Sequence, residues 1–183
     1  MKGKSLSANQ GGGTERLQKA ILNRIGDYDI RRCDRDDVEG VMLINSKTLP
    51  EHYSDYFYYE ILAEFPETFL VADRAGEVVG YIMCRTEYGF SHVKKLGLAR
   101  KGHVISIAVL EEHRGKGVGT RLISTAHEEL FKKSASEVYL EVRVSNVEAV
   151  SLYQKLGYRT TGRLEAYYKD GEPALLMASP LGQ

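Results

Sequence analysis

The chain has 183 residues, of which 43% are hydrophobic and 27% are charged, and this length and composition predict one soluble globular domain. Lysine and arginine together number 25, as do aspartate and glutamate, so the formal net charge is zero. That balance argues against a protein that neutralises nucleic-acid phosphates over a large surface, and we expect no sequence-specific nucleic-acid binding.

The cysteines and the apolar runs indicate the cellular compartment. Cys33 and Cys84 are far apart in the sequence and form no Cys-x-x-Cys pattern, so neither a disulfide framework nor a thiolate zinc site is predicted. No apolar run approaches the roughly 20 residues of a membrane helix, and residues 1–14 lack the apolar stretch of a signal peptide. We therefore expect a cytoplasmic protein that binds neither a metal nor a membrane.

Two segments are predicted ahead of the folded domain. Residues 1–14 are rich in Gly, Ser and Asn and predict a flexible tail. In residues 15–26, apolar side chains recur at i, i+4 and i+8, which predicts a short amphipathic helix. These apolar positions are Leu17, Ile21 and Ile25. The domain itself is expected over residues 27–183.

The elements of the domain follow from β-branched runs, helical periodicity and capping residues. In chain order, they are a strand (28–32), two helices (34–45 and 55–65), a hairpin (68–72 and 78–84), a polar connection (89–102), a strand (103–109), a helix (120–133), a strand (137–144), a helix (146–156) and a closing hairpin (158–168 and 174–178). This order predicts an α/β (α+β) fold, a mixed sheet with helices on its faces.

The segment Arg114-Gly-Lys-Gly-Val-Gly119 joins a predicted strand to a predicted helix and predicts an anion-binding loop. Its glycines allow backbone N–H groups to point at one anion, the helix N-terminus adds a positive dipole, and Arg114 and Lys116 add charge. The segment lacks the endings of the nucleotide P-loop and of the Gly-x-Gly-x-x-Gly motif. The alternative is a glycine turn that only lets the strand and the helix pack closely.

This loop resembles the Arg/Gln-x-x-Gly-x-Gly/Ala signature of the GNAT N-acetyltransferases, and Asn146 with residues 149–158 resembles that family's second cofactor segment. The resemblance implies the GNAT fold, a mixed central sheet of about seven strands with four main helices on its faces, and acetyl-CoA as the cofactor. The cofactor-binding residues that it implies are Ile107, Ala108, Val109, Arg114, Gly115, Lys116, Gly117, Val118, Gly119, Thr120, Asn146 and Tyr153.

Four segments further resemble the catalytic subunit of NatA-type N-terminal acetyltransferases, particularly the archaeal ones. They are Leu49-Pro-Glu-His-Tyr53, Arg100-Lys-Gly-His-Val104, Tyr139-Leu-Glu-Val-Arg-Val-Ser-Asn146 and Tyr167-Tyr-Lys-Asp-Gly-Glu-Pro-Ala174. The residues that this resemblance implies for binding protein N-termini or nascent peptides are Leu49, Pro50, Glu51, Tyr53, Tyr167 and Tyr168. His52 replaces the Asn that is commoner in the family, and Lys169 and Pro173 also depart from its pattern.

Four residues are candidates for catalysis. An α-amino group has a pKa of about 7.7 to 8.0, so a base or a water relay must take its proton, and Glu51, His103 and Glu141 are the candidates. Each has a structural alternative: a helix cap or ion pair for Glu51, a satisfied buried histidine for His103, and a paired or exposed strand carboxylate for Glu141. The resemblance implies that Tyr153 protonates the departing thiolate, whereas its alternative is a core aromatic residue.

The resemblance therefore implies an enzyme that moves acetyl from acetyl-CoA directly to the α-amino group of chains that begin with Ser, Ala, Thr or Met. No cysteine lies in the signature segments, which argues against an acetyl-cysteine intermediate. One alternative is a lysine or small-amine acetyltransferase on the same fold. The other is a non-catalytic CoA-binding subunit that uses the basic stretch from Lys94 to Lys101 for a ribosome contact.

Overall fold

Eight strands and four helices are found in residues 19–94 and 96–182, the part of the chain that the computed structural model describes. The strands are β1 (Ile21–Ile25), β2 (Tyr28–Arg32), β3 (Phe69–Arg74), β4 (Glu77–Phe90), β5 (Leu98–Val109), β6 (Glu137–Arg143), β7 (Arg159–Leu164) and β8 (Ala174–Pro180). The helices are α1 (Val38–Thr48), α2 (Asp55–Glu64), α3 (Val118–Lys132) and α4 (Val147–Lys155). None of these helices is long and apolar enough to cross a membrane.

The described strands form one sheet in the order β1-β2-β3-β4-β5-β6-β8-β7, in which only the β5–β6 pair is parallel. Strand alternation separates two apolar clusters. Phe69 and Tyr81 pack with α1 and α2 on one face, whereas Leu70 and Ile82 pack with α3 and α4 on the other. The predicted mixed sheet with helices on both faces is confirmed, with eight strands in place of about seven.

The additional strand is β1, and the helix predicted over residues 15–26 is wrong for its described part. Residues 21–25 pair antiparallel with β2, and Gly26, with a φ of 53°, lies in the turn between the two strands. A spacing of i, i+4 is a multiple of the two-residue strand period, so it cannot distinguish a strand from a helix. Residues 1–18, which include the predicted tail, lie outside the described residues.

Half of the polar connection predicted over residues 89–102 is strand. β4 continues to Phe90 and β5 begins at Leu98, because the ladder extends through the Tyr88–Arg100 and Phe90–Leu98 pairs. Lys101, which lies in this predicted connection, is buried. Its Nζ lies 3.0 Å from His92 Nε2 and 3.6 Å from a Glu87 carboxylate oxygen, so these partners offset the cost of burying the ammonium group.

The sheet opens between β5 and β6. Their parallel pairing covers three residue pairs, from Lys101–Glu137 to His103–Tyr139, and residues 104–109 of β5 have no partner on β6. On its other side β5 stays paired with β4, but the register skips Ile105, which forms a β-bulge. The fold therefore provides a cleft beside the second half of β5, directly before the glycine loop.

Candidate active site

The predicted anion-binding loop contains two glycines in the left-handed region. Gly115 and Gly117 have φ values of 70° and 80°, which residues with a Cβ adopt only at a cost in free energy. Gly117 is also the N-cap of α3 and has no side chain to cap the first N–H groups of that helix. The first N–H groups of α3 and the helix dipole form a cradle that suits an anion.

The basic side chains of this loop hold the loop itself in place. Arg114 Nε donates to the Val109 carbonyl at 3.0 Å, and Lys116 Nζ donates to the Glu112 carbonyl at 2.8 Å. Both bonds end on backbone oxygens next to the loop. The loop therefore offers an anion its backbone N–H groups in a conformation that its own side chains help to fix.

Other residues predicted to bind the cofactor lie on β5 and α4. Residues 107–109 belong to the part of β5 that has no partner on β6. Tyr153 on α4 is buried, and burial raises the pKa of its hydroxyl to about 12, so this group is protonated at neutral pH. The Asn146 side chain caps α4 by accepting a hydrogen bond from the Ala149 N–H at 3.1 Å.

His103 and Glu141, two of the predicted catalytic residues, form a pair. Nε2 of His103 lies 2.7 Å from a Glu141 carboxylate oxygen, and the imidazole stacks on the Tyr139 ring with centroids 4.4 Å apart. A carboxylate only accepts hydrogen bonds, so Nε2 carries the proton of this bond, and Nδ1 is the other nitrogen of the ring. Among the described residues, that buried Nδ1 has no hydrogen-bond partner. The pair therefore holds an oriented imidazole whose second nitrogen is enclosed and has no partner.

Glu51 binds Arg143, which also binds two other carboxylates. Nη2 of Arg143 lies 2.5 Å from Glu51, and its Nη1 lies 2.8 Å from Asp170 and 2.6 Å from Glu172. The guanidinium carbon is 4.0 Å from the centroid of the Tyr168 ring. This Arg143 cluster joins the loop between α1 and α2 to the loop between β7 and β8.

The remaining predicted peptide-binding residues are on the same two loops. The Tyr53 hydroxyl donates to the Ile105 carbonyl at 3.1 Å, which the β-bulge frees from the strand ladder. Tyr167 is 47% exposed and contacts Tyr168 edge to face. Leu49 is partly buried against the apolar cluster on the face of the sheet that α1 and α2 cover, whereas Pro50 is exposed. Tyr53 and Tyr167 thus present aromatic surface next to the Arg143 cluster.

Sequence reasoning did not assign a role to Arg143. The only signal was its position two residues after Glu141 on the same strand face, and its partners Glu51, Asp170 and Glu172 lie on distant segments. Cys84 is fully buried, and burial raises the pKa of its thiol. A protonated, enclosed thiol cannot carry an acetyl group.

Comparison with known proteins identifies the family of this chain. Residues 38–158 match the sequence model of the acetyltransferase (GNAT) family. The chain is 49% identical to an N-alpha-acetyltransferase of Saccharolobus solfataricus over 167 residues, which are 90% of this chain and 100% of that protein. It is 36% identical to the N-terminal acetyltransferase A complex catalytic subunit NAA10 of Arabidopsis thaliana over 156 residues, 83% of this chain and 77% of that protein.

A solved structure agrees with these relatives. Ard1 from Thermoplasma volcanium superimposes with a TM-score of 0.76 at 30% identity and covers 86% of this chain and 100% of its own. The resemblance to GNAT enzymes of the N-terminal acetyltransferase type, drawn from short segments of sequence, is therefore confirmed over most of the chain.

Proposed function

This chain belongs to the acetyltransferase (GNAT) family and is an acetyl-CoA-dependent N-alpha-acetyltransferase, and we propose that it acetylates chains that begin with Ser, Ala, Thr or Met by direct attack of the α-amino group in a ternary complex. The observation that carries this proposal is the Arg143 cluster, because it fixes the two walls of the acceptor groove relative to each other. We define the acceptor groove as the space between residues 49–53 and residues 165–173.

The groove favours the end of an extended chain. A lysine side chain from the middle of a peptide would bring two flanking backbone segments into walls that Arg143 holds together, whereas an N-terminus brings one. Three carboxylates face a single guanidinium in the Arg143 cluster, which leaves an excess of negative charge. That excess attracts the ammonium form of an α-amino group into the groove.

We assign the proton-accepting role to His103, oriented by Glu141. The amine must lose a proton before it attacks, and Nδ1 of His103, which is enclosed in the free protein, accepts it through a water molecule that reaches the ring when the peptide binds. The carboxylate of Glu141 then stabilises the imidazolium that forms. Glu51 is bound to Arg143, and its role in this proposal is to fix the groove wall.

The chain's residues fit the cofactor. Residues 114–119 would hold its pyrophosphate through backbone N–H groups, and residues 107–109 would line its pantetheine arm beside the open edge of β5. When bound, acetyl-CoA supplies an acetyl thioester that is reactive toward amines. The Tyr153 hydroxyl, whose pKa burial raises to about 12, keeps its proton and can donate it to the departing sulfur.

We further propose that the enzyme acts in the cytoplasm on nascent chains. A contact with the ribosome would involve the tip of the β4–β5 hairpin, where Lys94 is exposed and Arg100 is half-buried. Lys101 is buried and bound to His92, so it is not part of such a surface. Lys95 lies outside the described residues.

The test compares two forms of one peptide. One form has a free N-terminus and a blocked lysine, the other a blocked N-terminus and a free lysine, and mass spectrometry locates the acetyl group. We expect the first form to be acetylated, with starts of Ser, Ala, Thr and Met competing and a Pro start failing because it lacks a primary amine. Preferential modification of the lysine form would establish the lysine acetyltransferase alternative instead, and no product from either form would support the non-catalytic one.

A further inference from the structure

His52, one of the residues that depart from the family pattern, begins a chain of four hydrogen-bonded side chains that leads from one wall of the acceptor groove to β5. Its Nδ1 lies 3.2 Å from Asn45 Oδ1, Asn45 Nδ2 donates to the Tyr81 hydroxyl at 2.9 Å, and the Tyr81 hydroxyl lies 2.7 Å from Ser106 Oγ. Asn45, Tyr81 and Ser106 are 1%, 0% and 7% exposed. The chain thus connects an exposed histidine to the interior of β5.

The direction of two of these bonds follows from the chemistry of the groups. An amide nitrogen can only donate, so the Tyr81 oxygen accepts from Asn45, whereas either hydroxyl can donate in the bond between Tyr81 and Ser106. The amide oxygen of Asn45 accepts from Nδ1–H of His52. A buried amide oxygen without a donor is costly, so His52 completes a network whose other members are enclosed.

The position of His52 in its loop gives this network a function. Glu51 on one side binds Arg143 of β6, and Tyr53 on the other side binds the Ile105 carbonyl of β5. His52 points back to α1, from which the loop has just departed through the Leu49 N–H to Asn45 carbonyl bond of 2.9 Å. Three consecutive side chains therefore fasten one groove wall to three different elements.

We propose that His52 is a positioning residue for the peptide substrate, an inference that rests on the proposed function of the groove. By fixing residues 51–53 through Asn45, it sets where Glu51 and Tyr53 stand when the peptide binds. Among the described residues, its ring has no hydrogen bond other than the one to Asn45. His52 therefore acts on peptide binding through the loop and leaves acetyl-CoA binding unchanged.

The first experiment measures steady-state kinetics and amide hydrogen exchange in His52→Ala, with His52→Asn as the conservative variant. We expect His52→Ala to raise KM for the peptide roughly three- to tenfold, the size of one lost hydrogen bond, and to leave KM for acetyl-CoA unchanged. The Asn side chain keeps an N–H donor, so the peptide KM of His52→Asn should be close to that of the unchanged protein. Lys47→Ala, an exposed change on α1 close to Asn45 in the sequence, is the matched control.

The second experiment tests the route through the interior. If His52 acts through Asn45, a variant with both His52→Ala and Asn45→Ala should have the same peptide KM as Asn45→Ala alone. Where circular dichroism shows that Asn45→Ala is not folded, Asn45→Leu, which keeps more of the side-chain volume, takes its place. Multiplicative effects of the two changes would overturn the proposed route.

Hydrogen exchange separates this inference from the proposed function. The backbone amides of residues 51–53 should exchange faster in His52→Ala than in the unchanged protein, and this readout needs no reaction. Unchanged exchange and unchanged peptide KM would overturn the role of His52 even if the enzyme acetylates N-termini. Faster exchange in a protein that modifies only lysine would leave the role of His52 in fixing the loop intact and overturn the proposed function.

Discussion

The cofactor loop and the acceptor groove are built from different parts of the protein. The loop is one contiguous segment, residues 114–119, and it offers an anion backbone N–H groups whose positions depend on two left-handed glycines. The groove and its base are assembled from side chains of β5, β6 and two loops that are distant in the sequence. Backbone sites should be sensitive to a change of conformation, whereas side-chain sites should show coupling between the residues that touch.

The largest effect is expected from a change in the backbone of the cofactor loop. A Cβ at Gly117 would lie 2.6 Å from Ile25 Cδ1, and the φ of 80° disfavours any side chain. We expect Gly117→Val to abolish cofactor binding, and with it the rise of roughly 5 to 10 °C in Tm that CoA should produce in the unchanged protein at about 100 times its Kd. Differential scanning fluorimetry with and without CoA measures this rise.

Gly26→Ala is the control for backbone strain alone. Gly26 has a φ of 53°, a Cβ added to it would have no atom within 4 Å, and it lies outside the cofactor loop. This variant should lose stability by about 1 to 2 kcal/mol and keep the full response to CoA. A Gly117→Val protein that is folded and still responds to CoA would show that the loop does not bind the cofactor through its backbone.

A smaller effect, and coupling between two residues, is expected in the part of the site that is built from side chains. We expect His103→Ala to lower kcat for peptides about 100-fold and Glu141→Gln about tenfold, because removal of a base costs more than removal of the group that orients it. Since Nε2 of His103 is bound to Glu141 at 2.7 Å, the double variant should be no slower than His103→Ala. Single-turnover kinetics at saturating acetyl-CoA measure these rates.

Glu64→Gln serves as the matched control for loss of a carboxylate charge, because Glu64 is exposed at the end of α2 and belongs to neither wall of the acceptor groove. It should leave kcat unchanged. A double variant about 1,000-fold slower than the unchanged enzyme would mean that His103 and Glu141 act independently. Unchanged rates in all of the variants would remove both residues from the mechanism and return attention to Glu51.

The same contrast between contiguous and assembled features explains what could be predicted from the sequence. β2 was predicted with the bounds that it has, Tyr28–Arg32, and the turn into α3 was recognised from its glycines, because both are local patterns. β1 was predicted as a helix, because an i, i+4 spacing fits both periods and the pairing with β2 decides between them. The ends of β4 and β5 were missed because cross-strand pairing stabilises polar residues there.

The candidate site divides in the same way. The cofactor loop was predicted from composition and spacing, and the family resemblance supplied the rest of the residues. Neither source indicated that Glu51 binds Arg143 or that Lys101 is buried against His92, because each contact joins segments that only the fold brings together. Polar contacts between distant segments have no local periodicity, so a single sequence does not reveal them.

The smallest effect is expected at Tyr153, a cofactor-side residue that would act through its side chain. Burial raises the pKa of its hydroxyl to about 12, and a raised pKa favours the protonated form, so the group stays a donor well above neutral pH. Because a thiolate leaves easily, we expect Tyr153→Phe to lower kcat less than about tenfold, below the usual range for general acid catalysis. The loss should be the same from pH 6 to pH 10, and initial rates across that range measure it.

Tyr88→Phe, which removes an exposed hydroxyl, controls for changes unrelated to the site. A loss confined to pH values below 9 would mean that Tyr153 titrates near that pH in the working enzyme, contrary to its burial, whereas a loss above 100-fold would place it among the groups on which the reaction depends most.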